Sequence, residues 1–239
     1  MTTRIYDLPT RMFHWLFAGS FLTAFTIANT VDDESTAFAF HMLAGLIMVF
    51  TVCWRIIWGL VGTRHARFSD FHLKPTALYQ YLCGVLTGNN RAGAGHNPAS
   101  SWAAILMMLL ALGLGVSGYL MASGSGWEAL EDLHELFADL FIGIVVLHLA
   151  GLVLHQLKHR DALSKSMVSG NKQGLDQSID SVRPYRLVGV VLLLLTLGFG
   201  WYLQQHFNPA TGTLHLFGIP LQLSEDAQDS GRSAEQDDD

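Results

Sequence analysis

Long apolar runs alternate with short polar ones along this chain, and the length of the runs sets the first expectation. A helix needs about 20 mostly apolar residues to cross a bilayer's hydrocarbon core, where an unpaired backbone group finds no water. Five segments meet that need: Met12 to Ala28, Phe38 to Val61, Trp102 to Met121, Leu133 to Leu157 and Leu187 to Leu203. Pro9 suits the first turn of the first helix, because its missing N–H has no partner there in any case. The third run carries no charged residue, and the fourth carries charge only in its opening turns.

Between the runs, 62–101 mixes Arg, Tyr, Leu and Gly, and an amphipathic helix at the membrane surface is expected around Pro75 to Leu86. Residues 164–182 are polar and contain glycine, the pattern of a linker before the fifth run. After Ser224 the chain is almost wholly Asp, Glu, Gln and Ser, which predicts a solvated, disordered acidic tail. No internal repeat is visible.

Composition agrees with the membrane reading: 50% of the residues are hydrophobic, only 14% are charged, and the mean hydropathy is +0.31. A net charge of −6 provides no basic surface for nucleic acid. No glycine loop of the phosphate-cradling kind follows a plausible strand, so nucleotide chemistry is not expected. Cys53 and Cys83 cannot supply a disulfide framework, and the absence of C-x-x-C-H excludes covalent haem attachment.

Lysine and arginine are retained on the cytoplasmic side of a membrane, so their placement orients the chain. Every one of them except Arg232 falls before the first run, at the end of or after the second, or between the fourth and fifth. The opposite side receives Asp32, Asp33 and Glu34, then Glu128, Glu131 and Asp132, then the acidic tail. The amino terminus is therefore expected in the cytoplasm and the carboxyl terminus in the periplasm. Arg4 and Arg11 before an apolar run also fit a secretory signal, but no convincing small-x-small cleavage site follows, and cleavage would discard His14.

Ionisable residues inside membrane spans are costly, which makes a functional role the first hypothesis. His14 lies near the inner end of the first run, His41 near the outer end of the second, and His134 and His148 both lie on the fourth. The 14 residues from His134 to His148 turn through about 1,400 degrees, close to four full turns, and rise about 21 Å. One helix face thus presents two imidazoles at two depths. His134 is level with His41, and His148 lies towards His14. Two imidazoles on facing helices can grip a haem iron from both sides, so two such pairs would stack two haems across the bilayer. A zinc site would instead need ligands converging at one depth, and a proton relay would normally continue inward through carboxylates. His155, seven residues beyond His148 on the same face, is the alternative partner for His14. Gly45 and Ala18, one turn from His41 and His14, leave room beside a flat macrocycle, as they would for ordinary helix packing.

The chain resembles the prokaryotic di-haem cytochrome b family of cytochrome b-561 type, which includes the membrane subunits of nickel-iron hydrogenases. The resemblance covers about Tyr6 to Arg160. It is carried by Tyr6-Asp7-Leu8-Pro9-Thr10-Arg11-Met12-Phe13-His14-Trp15, by His41, and by Trp54-Arg55-Ile56-Ile57-Trp58-Gly59-Leu60-Val61-Gly62 with Ala66-Arg67-Phe68. Gly95-His96-Asn97-Pro98, His134-Glu135 and His148 complete it. The resemblance implies two non-covalent b haems, one held by His14 with His148 and the other by His41 with His134. It also implies electron transfer between a quinone and a redox partner, such as a periplasmic cytochrome c or a hydrogenase-like or dehydrogenase subunit. His96 would be a loop-structuring or quinone-site residue.

These readings together give an all-α integral membrane bundle in the bacterial inner membrane. Residues 1–160 form a four-helix di-haem domain, 161–183 a cytoplasmic linker, 184–205 a fifth transmembrane helix and 206–239 a periplasmic acidic tail. The expected role is that of an electron-transfer subunit rather than a stand-alone enzyme. The alternatives are a membrane oxidoreductase that oxidises superoxide or a quinol, and a haem-containing membrane anchor.

Overall fold

The computed structural model describes residues 2–87, 97–124, 128–159, 163–173 and 180–223. His96 and the acidic tail after Ser224 lie outside the described residues. Among the described residues seven α-helices carry the architecture: α1 (Leu8–Thr30), α2 (Ala39–Val61), α3 (Pro75–Thr87), α4 (Pro98–Ala122), α5 (Glu128–His159), α6 (Leu163–Ser169) and α7 (Arg186–His206). Four of them, α2, α4, α5 and α7, are long and apolar enough to cross a membrane. The chain is a helical membrane bundle, as expected.

The first run also folds as a long helix, but α1 falls outside that apolar set. Four of its polar side chains are satisfied within the helix. Thr23, Asn29 and Thr30 bond to the carbonyls of Gly19, Phe25 and Thr26 one turn back, and buried Ser20 bonds to that of Phe17. Hydroxyls that bond to their own helix need no water. α1 packs along α2 and against α7.

Local chemistry explains where α1 starts. Fully buried Asp7 caps the helix through the Thr10 N–H at 2.8 Å, with Pro9 in the first turn. Its other oxygen accepts from Trp58 Nε1 at 3.1 Å and from the Thr63 hydroxyl at 2.6 Å. One carboxylate thereby ties the start of α1 to the end of α2. Glycines close the same corner. A Cβ on Gly59 would come within 2.3 Å of the Phe68 ring, so only glycine lets that ring sit against α2. Much of the Trp-Arg-Ile-Ile-Trp-Gly motif therefore builds this corner of the bundle.

The segment expected as a linker contains structure. α6 leads into β2 (Asn171–Gln173), which pairs antiparallel with β1 (Thr2–Arg4). Gly170, at φ +80°, accepts both the Ile5 and the Tyr6 N–H through its carbonyl. The amino terminus and the connection between α5 and α7 are thus held together at one end of the bundle. Polar composition suggested a free linker, but it does not register pairing with a strand more than 160 residues away.

Before the acidic tail, β3 (Phe207–Asn208), β4 (Thr213–Leu216) and β5 (Ile219–Gln222) form an antiparallel meander. Leu214, Leu221 and Leu223 bury one face of it against Leu203 and Phe207 and against Ala39 and Leu43 of α2. The hairpin tip, Phe217–Gly218, has both residues at positive φ, the conformation that matches strand twist in a two-residue turn. α3 occupies the place expected for the amphipathic helix, with Tyr79 and Leu82 exposed.

Candidate haem-binding site

The outer pair of histidines is brought together directly. His41 stands on the first turn of α2 and His134 near the start of α5, with ring centroids 6.3 Å apart at an interplanar angle of 64°. The backbone carbonyl of Ala24, at the end of α1, lies 2.9 Å from His41 Nδ1. A carbonyl can only accept, so Nδ1 carries the proton there. Ser117 of α4 lies 2.8 Å from His134 Nδ1 and gives its own proton to Gly113 O at 2.9 Å. His134 Nδ1 is therefore the donor to Ser117 Oγ. In both rings the Nε2 lone pair is left for a ligand, the tautomer that a metal-binding histidine takes when its other nitrogen is held by the protein.

This spacing fits a shared iron. With each ring nitrogen about 2 Å from the metal and roughly 1 Å from its own ring centre, two axial imidazoles would place their centroids about 6 Å apart. No protein atom among the described residues crowds α2 one turn further on. A Cβ at Gly45, one turn from His41, would meet nothing within 4 Å. α5 packs lengthwise on α4, while its approach to α1 and α2 is made by rings rather than by closely packed backbones.

The inner pair is looser. His14 on α1 and His148 on α5 are both half-buried and lie within electrostatic range of one another. Neither ring hydrogen-bonds to another described residue, although Trp15 stands edge-on to His14 at 5.2 Å. His155 is half-buried farther along α5. Phe141 lies between the two levels, seven residues from each α5 histidine and 1% exposed. Its ring centroid is 5.8 Å from that of Phe17 and 4.8 Å from that of Phe21. This aromatic cluster fills the middle of the bundle and holds α5 off α1.

Sequence reasoning missed Ser117, the Ala24 carbonyl and Phe141 as parts of this arrangement. Ser117 did leave a trace: a hydroxyl in an otherwise apolar span, at the end of α4 that the chain reversal brings opposite His134. The other two could not be seen, because a backbone carbonyl has no letter of its own and phenylalanine is common in spans. Among the described residues no three His, Cys, Asp or Glu side chains gather around one point, so the histidines are grouped as pairs.

The probable Ni/Fe-hydrogenase B-type cytochrome subunit of Rhizobium leguminosarum bv. viciae is 24% identical over 213 residues, covering 70% of this chain and 87% of the relative. Proteins of the same name from Rhodobacter capsulatus and Bradyrhizobium diazoefficiens are 22% and 24% identical, covering 74% and 73% of this chain and 83% and 87% of their own lengths. No solved structure matches the chain. Residues 5–170 match the family described as prokaryotic cytochrome b561, and with that span embracing both histidine pairs, the chain belongs to that family of multi-pass membrane proteins that transfer electrons on b-type haem.

Proposed function

We propose that the chain carries electrons across the bacterial inner membrane through two b haems, between a quinone and a redox partner on the periplasmic side. The observation that carries this reading is the approach of His41 to His134, with ring centroids 6.3 Å apart, supported by the 14-residue step along α5 from His134 to His148. His41 and His134 would hold the outer haem, and His14 and His148 the inner one. His155 is the reserve for His148. The haems, when bound, supply one-electron chemistry between ferrous and ferric iron. The protein contributes oriented axial nitrogens, an apolar surrounding and the aromatic spacer at Phe141.

The relatives named as hydrogenase subunits favour a hydrogenase-like partner over a soluble cytochrome c. With basic residues at the inner ends of the helices, the amino terminus lies in the cytoplasm and the quinone meets the inner level, near the source of protons. Pyridine haemochrome analysis of the purified chain should find two b haems. H14A or H148A should remove one of them, and H41A or H134A the other. Loss of the inner haem in H155A together with its retention in H148A would overturn the inner pairing, and a single haem in the wild type would overturn the two-haem reading.

A further inference from the structure

Arg55 is the single Lys, Arg, Asp or Glu on α2, and it is buried at 4% exposure. It lies 14 residues beyond His41, the same interval that separates His134 from His148 on α5. The starts of α2 and α5 meet at the outer pair, so equal steps along both helices bring Arg55 to the level of His148. The row His41, Gly45, Met48, Val52 and Arg55 follows one face of α2, and its last three members are buried. The Arg55 guanidinium lies 5.8 Å from the ring of Phe13, the residue before His14, and 5.1 Å from that of Phe68. Phe13 stacks on Phe17, which meets Phe141, so Arg55 borders the space between α1 and α5 at its inner end.

The guanidinium is not fully matched. Nη2 donates to the Ala66 carbonyl at 2.8 Å, while Nη1 is buried with no partner. Among the described residues no carboxylate forms an ion pair with it. Asp7 contributes its field from a distance, but both its oxygens are occupied by Thr10, Trp58 and Thr63. A buried donor left open on a charged group costs more than a neutral one, and an arginine in that state calls for an anionic acceptor. A haem at the level of His14 and His148 brings two propionate carboxylates, which are themselves costly in an apolar interior unless paired.

We infer that Arg55 Nη1 binds a propionate of the inner haem, making Arg55 a cofactor-binding residue in addition to the axial histidines. This rests on the reading that His14 and His148 hold a haem. Arg55 would orient the macrocycle and add a positive charge beside it. That charge favours the ferrous state, so its removal should lower the inner midpoint potential.

The test is potentiometric titration of the purified full chain, with the inner haem identified as the one lost in H148A. R55Q should keep two haems while the inner reduction equilibrium falls about tenfold, equal to about 59 mV for one electron, and the outer one stays in place. R55K, which retains the charge, should restore most of the difference. R55Q with two haems and an unchanged inner potential would overturn the inference. Should R55Q fail to fold, the wild-type holoprotein decides. In redox-difference infrared spectra with 13C-carboxyl haem, the propionate bands should move when the arginines carry 15N, and bands indifferent to that label would overturn it. A wild type that binds fewer than two haems would sink the underlying two-haem reading instead, which the haem count in the same samples reveals.

Discussion

Ser117 of α4 and His134 of α5 stand 2.8 Å apart, and the serine's own bond to the Gly113 carbonyl decides which of them donates. With its proton given to the carbonyl, the hydroxyl can only accept from Nδ1. The helical carbonyl thus sets the tautomer of an imidazole on the next helix, one step removed.

Ser117→Ala should therefore act on the outer haem alone. Partners of this kind orient a metal-binding histidine and raise its basicity, and their loss typically costs about 10- to 100-fold in affinity. A less basic axial nitrogen stabilises ferric iron less, so the outer midpoint potential should rise and outer haem should be lost more readily on dilution in detergent. Haem counts and potentiometry of the variant check both. Unchanged retention and potential would show that Ser117 does not support His134.

Asp7 makes a second prediction, this time on stability. It is fully buried and accepts three hydrogen bonds from two helices and the turn after α2. Asp7→Ala would remove the cap of α1, worth about 1 kcal/mol, and leave the Trp58 and Thr63 donors open at roughly 1–3 kcal/mol each. Asp7→Asn should cost less than alanine but more than a surface change, because its amide nitrogen would face at least one of those donors. Thermal unfolding in detergent should rank wild type above D7N and D7A lowest. Equal melting temperatures would mean that this corner does not hold α1 to α2.

Tyr6 adds a pH dependence outside the membrane spans. Burial, with the nearby Asp70 adding to it, pushes its phenol up to about 12 from the ordinary value of 10.0. The folded state therefore holds the proton more tightly than the unfolded chain. Stability from this source is complete below pH 10 and is lost between pH 10 and 12, by roughly 2–3 kcal/mol for a shift of that size. Tyr6→Phe has nothing to ionise, so the slope of stability against pH in that window should flatten, whatever the variant's stability at neutral pH. The same slope in Y6F as in wild type would assign the alkaline transition to another group.

The parts of this molecule that a sequence shows most readily are those governed by fixed helix geometry. A rise of 1.5 Å per residue is the same in every α-helix, so the gap between His134 and His148 and the level of His41 were legible without coordinates. Contacts between distant segments were not. Pro9 marked the first turn of α1, but the bonds that Asp7 accepts from Trp58 and Thr63 cross 51 and 56 residues. The strands after α7 did leave a signal, since Leu214, Leu216, Leu221 and Leu223 alternate with other residues around Phe217-Gly218. The acidic stretch that follows hid it by making the whole carboxyl-terminal region read as solvated tail. α1 was legible as a helix but is less apolar than the other spans, and the carbonyls that accept from its Ser20, Thr23 and Thr30 hydroxyls enter no hydropathy value.

The last prediction concerns the partner. Asp32, Asp33 and Glu34 lie exposed in the turn between α1 and α2, at the end of the bundle where His41 meets His134. Glu128, Glu131 and Asp132 are exposed in the opening turns of α5, which leads directly to His134. Two acidic segments, one in a turn and one on a helix, thus border the outer histidine pair. A partner approaching with a basic surface would be drawn to this rim, and added salt would weaken the attraction, since exposed charges farther apart than about 8 Å are screened at physiological ionic strength. Reversing Asp32, Asp33 and Glu34 to lysine should slow electron exchange with the partner about tenfold at low salt, through slower association, while leaving haem content and both potentials unchanged. The difference from wild type should shrink as salt rises. The same arrangement requires this end of the bundle to face the periplasm, so a reporter fused after Leu223 should be active there and silent in the cytoplasm. A cytoplasmic signal would place the rim on the wrong side. Exchange that ignores both salt and the charge reversal would show that the partner docks by other contacts.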